Sequence, residues 1–595
     1  MNRPAFLLLT LLSLLPAVPA AAQSARHEAP PPACEHGRIS ALFIDNHSIF
    51  DTTDPKVDRR LVRMYRIANA LHVRTRESVI RRELLFRPGD CYAPRLLSES
   101  ERLLRANGYL ARVDVYPLLQ PDSSYHVVVD TRDEWSTRVD LGLSFERGLG
   151  LERLSLTEAN FLGTGRAVEL FYIRRDANRD YGIGYHTRQL ASSRWTLDAA
   201  VGRTRRGTFA SQSLAYPFRE EGGRWGAQQT FRRYDRTFDF ALDHEGTEHH
   251  VLVPLYSQAF ELALVRRLGR PGHLTTLGAA FSTVELDYPG GIAAAELIEG
   301  GRFGDPLPAD TPWTRPLEGR LTPLRTARVL ALLGQRNITW VKRRGLDALQ
   351  GAQDIRIGWE GELAVGRSLP GRKDDRNLFT AASLYGALDR GPLLLAGRVL
   401  GDARRVLGAP PAARWVDLLV DGEALAYWRP VEHHTVVGRA AATGGWNTMT
   451  PFQLTLGGEL GVRGYGRERF PGGKRLLFSL EDRIYFGGPY RDVLDLGGTL
   501  FLDVGRVGAG DAPYGASSGW RGAAGLGLRG AFPAGGRTTY RADLALPLER
   551  GAGLRDLRLI ISVGELLGLS PRVRRARPED FRPLPPGGAP FHFPQ

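Results

Sequence analysis

The chain has 595 residues and a formal net charge of +14, and its positive excess is carried by arginine, the lysines being only Lys56, Lys342, Lys373 and Lys474. Such a length exceeds one ordinary core and calls for two or more domains, or one very large one. No Lys/Arg-rich block with interleaved aromatics occurs, which argues against a nucleic-acid partner and leaves anionic lipid or ion pairs inside a polar cavity as roles for the arginines.

Residues 1–22 place Arg3 before an apolar run from Ala5 to Leu15 and end in small residues, the layout of a secretory signal peptide cleaved after Ala22. No cysteine lies near that site, so a lipoprotein anchor is not expected. Pro16 and Pro19 interrupt the segment as a membrane helix, and no later apolar run reaches about 18 residues. The mature chain is therefore expected to cross the inner membrane and to be either soluble or a β-barrel. Residues 23–37 read as a leader. Cys34 and Cys91 then meet an oxidising compartment, where they either form a disulfide tying the leader to the first domain or remain unrelated thiols.

From 38 to 133 the texture mixes helix and strand. Arg38–Phe50 reads as a strand, and apolar residues at helical spacing follow in Leu61, Met64, Ile67, Ala68 and Leu71, then in Val79, Ile80 and Leu84. Another helix carries Leu96, Leu97, Leu103 and Leu104 and stops at Gly108. Two alternating strands, RVDVYPLL and SYHVVVDTRD, close a small α+β domain whose sheet edges stay open to pairing.

From 136 to 567 helical spacing vanishes and alternation at period two takes over. Val139, Leu141, Leu143 and Phe145 oppose Arg138, Asp140, Gly142 and Ser144. Tyr540, Ala542, Leu544, Leu546 and Leu548 oppose Arg541, Asp543 and Ala545. Repeated between Gly/Pro/Asp turns, without the blade repeat of a propeller, this predicts a mainly β protein dominated by a transmembrane antiparallel β-barrel. Residues 568–595, rich in Pro and Arg, read as a disordered tail.

One interruption stands out: GGELGVRGYGRERFPGG, Gly457–Gly473, too rich in glycine for a helix or a good strand. In the strand that follows, Ser479, Glu481, Arg483 and Tyr485 share the polar face, and in LFLDVG Asp503 lies with Phe501 and Gly505. A loop folded into the lumen would bring the Arg463 guanidinium to Glu481 and Asp503, a bidentate match that lysine cannot make. The other reading is a flexible surface loop with a solvated arginine. Asp482 falls on the lipid-facing row, which predicts a place near an interface or a bulge.

The Val462-Arg463-Gly464-Tyr465 tip resembles the hallmark loop of the BamA/TamA-like outer-membrane assembly and two-partner-secretion superfamily, as do NFLGTG (Asn160–Gly165), Glu481-x-Arg483 and Phe501–Gly505. Region 38–133 is similar to one polypeptide-transport-associated (POTRA) domain of that family. The resemblance implies a barrel of about 16 strands, with a sixth loop folded inward and its tip arginine on acidic wall residues like Glu481 and Asp503. It also implies an outer-membrane location with the POTRA domain in the periplasm. The partners implied are the lipid bilayer, unfolded outer-membrane or secreted proteins, and periplasmic or lipoprotein helpers. Three departures are a single POTRA domain, Leu567 where an aromatic is usual at the end of the last strand with a tail of 28 residues after it, and Asp482 on the lipid-facing row.

The function expected is insertion or translocation of other proteins, with no covalent chemistry and no cofactor. The alternatives are a transporter dedicated to one exported protein and a structural or diffusion pore. GASSG (Gly515–Gly519) fits a serine-nucleophile pattern and GLGLRG (Gly525–Gly530) a dinucleotide pattern, but neither adjoins the required helix. The spacing of His244, His249 and His250 matches no established metal site, and none is expected there. His433 and His434 point to opposite faces of a strand and cannot act together.

Overall fold

The computed structural model describes residues 34–569 apart from 53–58, 145–149, 176–177, 219–222, 246, 300–305, 371–375, 411–414 and 491–492, together with 581–583. The signal peptide and most of the leader lie outside the described residues.

The N-terminal sheet has the order β1-β3-β2. β1 (Ile39–His47) runs parallel to β3 (Tyr125–Asp133), and β2 (Leu110–Leu119) runs antiparallel to it, so β1 and β2 are the edges. Strand alternation turns Val113, Val127 and Val129 to one face. There they pack on Val79 and Ile80 of α2 (Glu77–Glu83) and on Leu97 and Leu104 of α3 (Pro94–Arg105). Pro94 opens α3, where its missing N–H costs nothing. Another helix, α1 (Arg59–Leu71), faces elsewhere: Tyr65 stacks on Phe50 with ring centroids 4.4 Å apart, and both pack with Ala68 and with Val493 of a barrel turn. It is a joint between the two domains. Cys34 and Cys91 form a disulfide across 57 positions.

Among the described residues, twenty antiparallel strands between Thr137 and Val563 make one closed barrel. The resemblance implied about 16. Between 137 and 216 the strands are only 8–10 residues long and turn back on one another. At the other extreme, Trp225–His244 and Thr247–Arg270, of 20 and 24 residues, extend well past a bilayer core, which takes about 9–11 residues of tilted strand.

Phe478, Leu480, Leu500, Leu502, Leu526 and Leu528 point outward and are exposed, whereas Glu481, Arg483, Phe501 and Asp503 are buried inside. Apolar outside with charge inside is the arrangement a membrane-spanning barrel requires. Asp482, on the outer row, pairs with His434 Nδ1 at 3.0 Å near the end that faces the N-terminal domain, and a register shift begins beyond Tyr485. The expected sharing of one strand by His433 and His434 is corrected: the strand begins at His434, and His433 lies in the turn before it and stacks on Tyr485.

The final strand ends at Val563, four residues before Leu567. Gly564, at φ 88°, turns the chain inward, and Leu566 and Leu567 are buried beyond it. The tail, read as disordered, is corrected where it is described: Phe581, Arg582 and Pro583 are buried within the barrel. Composition suggested solvation, but Phe581 has apolar neighbours and Arg582 has a carboxylate partner, Asp402.

Candidate functional site

The glycine-rich loop is folded into the lumen. Its base is pinned by pairing of Leu454–Thr455 with Pro471–Gly472. Val462 and Tyr465 pack with Leu456, Leu477, Val507 and Ala523, so the loop carries its own small apolar core against the wall. Two glycines are steric necessities. A Cβ at Gly457 would sit 1.8 Å from the Gly466 carbonyl oxygen, and one at Gly464 would sit 2.7 Å from Ala523 Cβ and 2.9 Å from Pro547 N.

This close approach delivers Arg463 to the wall. Its Nε donates to Asp503 Oδ2 at 2.6 Å and its Nη2 to Asp503 Oδ1 at 2.8 Å, a bidentate fork. Nη1 donates to Glu481 Oε1 at 2.7 Å and reaches Asp543 Oδ2 at 3.4 Å. The guanidinium lies 3.6 Å over the Phe501 ring, a desolvated cation–π contact. Arg463, Glu481 and Asp503 are all at most 2 % exposed, so water does not screen them.

Arg483, grouped with the lock from its sequence row, touches Glu481 rather than Arg463. Its Nε donates to Glu481 Oε2 at 3.0 Å, and its other nitrogens reach the Leu346 carbonyl at 2.9 Å, Asp347 Oδ1 at 3.3 Å and the Leu567 carbonyl at 2.7 Å. The network has members the motif reading missed. Arg541 donates to Asp543 at 2.7 Å, to Glu481 at 3.1 Å and to Glu565 at 2.6 Å, while Arg529 holds the other oxygen of Glu565. Arg541 and Asp543 were visible on the polar row of TYRADLALPL. Asp347, in a turn, and Glu565, past the last strand, had no periodicity to mark them.

Desolvating ions costs several kcal/mol each, and only close alternation of opposite charges with satisfied hydrogen bonds offsets it. Arg463, Arg483, Arg529 and Arg541 interleave here with Glu481, Asp503, Asp543, Glu565 and Asp347. The arrangement fixes to the wall one loop and the segment that follows the last strand.

A second contact holds the far side of the loop. Glu468 Oε2 lies 3.1 Å from His250 Nδ1, which also meets Asp239 Oδ1 at 3.0 Å. These three offer one imidazole nitrogen and two carboxylates within 4.8 Å, a set able to hold a divalent cation. His249, grouped with His250 by sequence, stacks instead on Trp313 at 5.1 Å, and His244 lies edge-on to the same ring. GASSG lies between two barrel strands, where Val507 N donates to Ser518 Oγ, and GLGLRG is paired within a strand.

At the other end of the barrel the N-terminal domain roofs a vestibule of about 1180 Å³, lined by Arg105, Arg112 and Asp114 and by Arg343, Arg429 and Tyr485 of the barrel. Arg105 is clamped by Asp354 of the wall at 2.8 Å. The start of β2 is held by the first barrel strand and by the loop that precedes the penultimate one. Arg138 of the first strand donates to the Gly108 carbonyl, and Arg537, just before the penultimate strand, donates to the carbonyls of Asn107 at 2.8 Å and Leu110 at 2.6 Å. Among the described residues, no strand pairs with the outer edge of β2.

Residues 66–136 match the POTRA family, described as a surface antigen variable number repeat. No curated protein sequence matches the chain. Among solved structures it is similar to BamA from Haemophilus ducreyi lacking POTRA domains 1–3, at 12 % identity over 88 % of this chain and 84 % of that one, with a TM-score of 0.32. CdiB from Acinetobacter baumannii aligns at 13 % identity over 89 % of this chain and 74 % of that one, with a TM-score of 0.37. CdiB from Escherichia coli aligns at 12 % identity over 91 % and 92 %, with a TM-score of 0.34. Residues 66–136, similar to a POTRA domain, thus lead into a closed barrel with an arginine-tipped loop locked inside it.

Proposed function

We propose that the chain inserts or translocates other proteins at the outer membrane, taking them up on the periplasmic side through its POTRA domain. The observation that carries this reading is the placement of β2. Among the described residues no strand pairs with its outer edge, β2 lines the vestibule, and its start is fastened to the first barrel strand, at the seam, and to the loop before the penultimate strand. An open edge accepts an extended polypeptide through backbone hydrogen bonds with little demand on sequence. A strand added there is aimed at the seam.

The seam itself is short. The last strand, Arg558–Val563, has six residues and closes against Thr137–Ser144, while strands elsewhere in the barrel run to 20 residues and more. Few ladder bonds hold it, so it is the place where the barrel parts at least cost and templates an incoming strand. The process involves no covalent step. A single POTRA domain fits a dedicated transporter for one exported protein as the second reading. A plain diffusion pore is less well supported, because the loop and the chain's own C-terminal residues occupy the lumen.

Photo-crosslinking tests the uptake step. A photoreactive residue replacing Tyr116 or Leu118 on β2 should capture unfolded polypeptides in living cells, and the same residue at Phe43 on β1 should capture fewer. Equal capture from both edges, or none from β2, would refute the assignment.

A further inference from the structure

Beyond the last strand the chain is gripped inside the barrel at two places. Leu567 packs among Leu346, Ile355, Leu425 and Tyr427, and Leu569 N donates to Asp347 Oδ2 at 2.9 Å and to the Tyr427 hydroxyl at 3.0 Å. Those contacts lie near the POTRA end. Toward the other end, Phe581 enters an apolar pocket of Leu419, Phe452 and Leu454 and is 6 % exposed. The Arg582 fork closes on both oxygens of Asp402, with Nη1 to Oδ2 at 2.8 Å, and both side chains are nearly fully buried.

The backbone is held as well. The Phe581 carbonyl accepts from Gln453 N at 3.2 Å and the Pro583 carbonyl from Arg236 Nη2 at 3.2 Å. Phe452 and Gln453 belong to the segment that begins the locked loop, and Asp402 and Arg236 belong to two wall strands, Leu393–Val406 and Trp225–His244. An aromatic pocket, an acidic fork and two backbone contacts in register constitute a peptide site. Beside it, a cavity of about 220 Å³ is lined by Arg236, Gln453, Leu454, Glu459 and Phe581.

We propose that this is a lumenal binding site for an extended polypeptide carrying an aromatic residue followed by arginine. In the resting protein the chain's own Phe581-Arg582-Pro583 fills it as a tethered plug. On the proposed function, which this extension rests on, a polypeptide crossing the lumen displaces the plug and meets the same groups. Tethering explains how so short a segment stays bound, because a linked ligand sees an effective concentration in the millimolar range.

Conductance of the full-length chain in planar bilayers tests the plug without any client protein. The wild type should be mostly closed. Phe581→Ala/Arg582→Ala should raise mean conductance several-fold, with heat-modifiable migration showing that the barrel is folded. A synthetic peptide of residues 579–584 at millimolar concentration should reclose that variant. Should the double variant fail to fold, the charge swap decides: Asp402→Arg alone should open the channel, and Asp402→Arg/Arg582→Asp should close it again. Wild-type conductance in the folded double variant, no reclosure by the peptide, or no rescue by the swap would overturn the site. An opened channel together with unchanged client levels on depletion would uphold the plug and sink the assembly reading.

Discussion

Replacing Arg463 by alanine removes a cation whose two main partners are at most 1 % exposed. The loss is not shared equally. Glu481 keeps Arg541 at 3.1 Å and Arg483 at 3.0 Å, whereas Asp503 loses both side-chain donors and keeps only the backbone N–H of residue 463 at 3.3 Å. Asp503 is then a buried carboxylate without a counter-ion, a change that typically costs about 3–5 kcal/mol. At about 1.4 kcal/mol per decade, that is a hundred- to a few-thousand-fold shift in the folded-to-unfolded ratio. Arg463→Ala should therefore lower the temperature at which the barrel loses its compact migration in detergent gels. It should also expose the loop to externally added protease. Adding Asp503→Asn should recover part of the loss by removing the orphaned charge. Arg463→Lys should fall between, because it keeps the charge but not the fork. Wild-type stability in Arg463→Ala, or no recovery in the double variant, would show that the ion pairs do not lock the loop.

Other outcomes follow from the same geometry. Gly464→Ala drives a methyl against Ala523 and Pro547 and should destabilise the lock by about 1–3 kcal/mol, read as faster loop proteolysis in a folded barrel. Leu502→Arg puts a charge on the lipid-facing row and should cost about 2–4 kcal/mol if the residue lies near the midplane, measured by urea unfolding in liposomes. Cys91→Ser opens a 57-position covalent loop and should destabilise the POTRA domain by about 2–4 kcal/mol while leaving barrel migration unchanged.

What the sequence revealed follows from how local each feature is. Strand parity is local, so Glu481, Phe501 and Asp503 could be assigned to the lumen before any partner was known. Arg541 and Asp543 obeyed the same parity, yet nothing local says that their strand curls round to meet Arg463. Asp347 and Glu565 lie outside the strands, and only barrel closure brings them to Arg483 and Arg541. Arg582 shows the limit most clearly. In a Pro/Arg-rich segment an arginine reads as solvated, and its burial depends on Asp402, which lies 180 positions earlier in the chain. Strand number was never read from the residues: about 16 came from the family resemblance, whereas the described residues form twenty.

The central claim is that this barrel inserts or translocates other proteins, and depletion of the chain followed by quantitative proteomics of the outer membrane addresses it most directly. The account predicts that the surface content of other proteins falls, across many barrel proteins if the role is general and in one exported protein if it is dedicated. An outer-membrane protein profile unchanged after full depletion would contradict it.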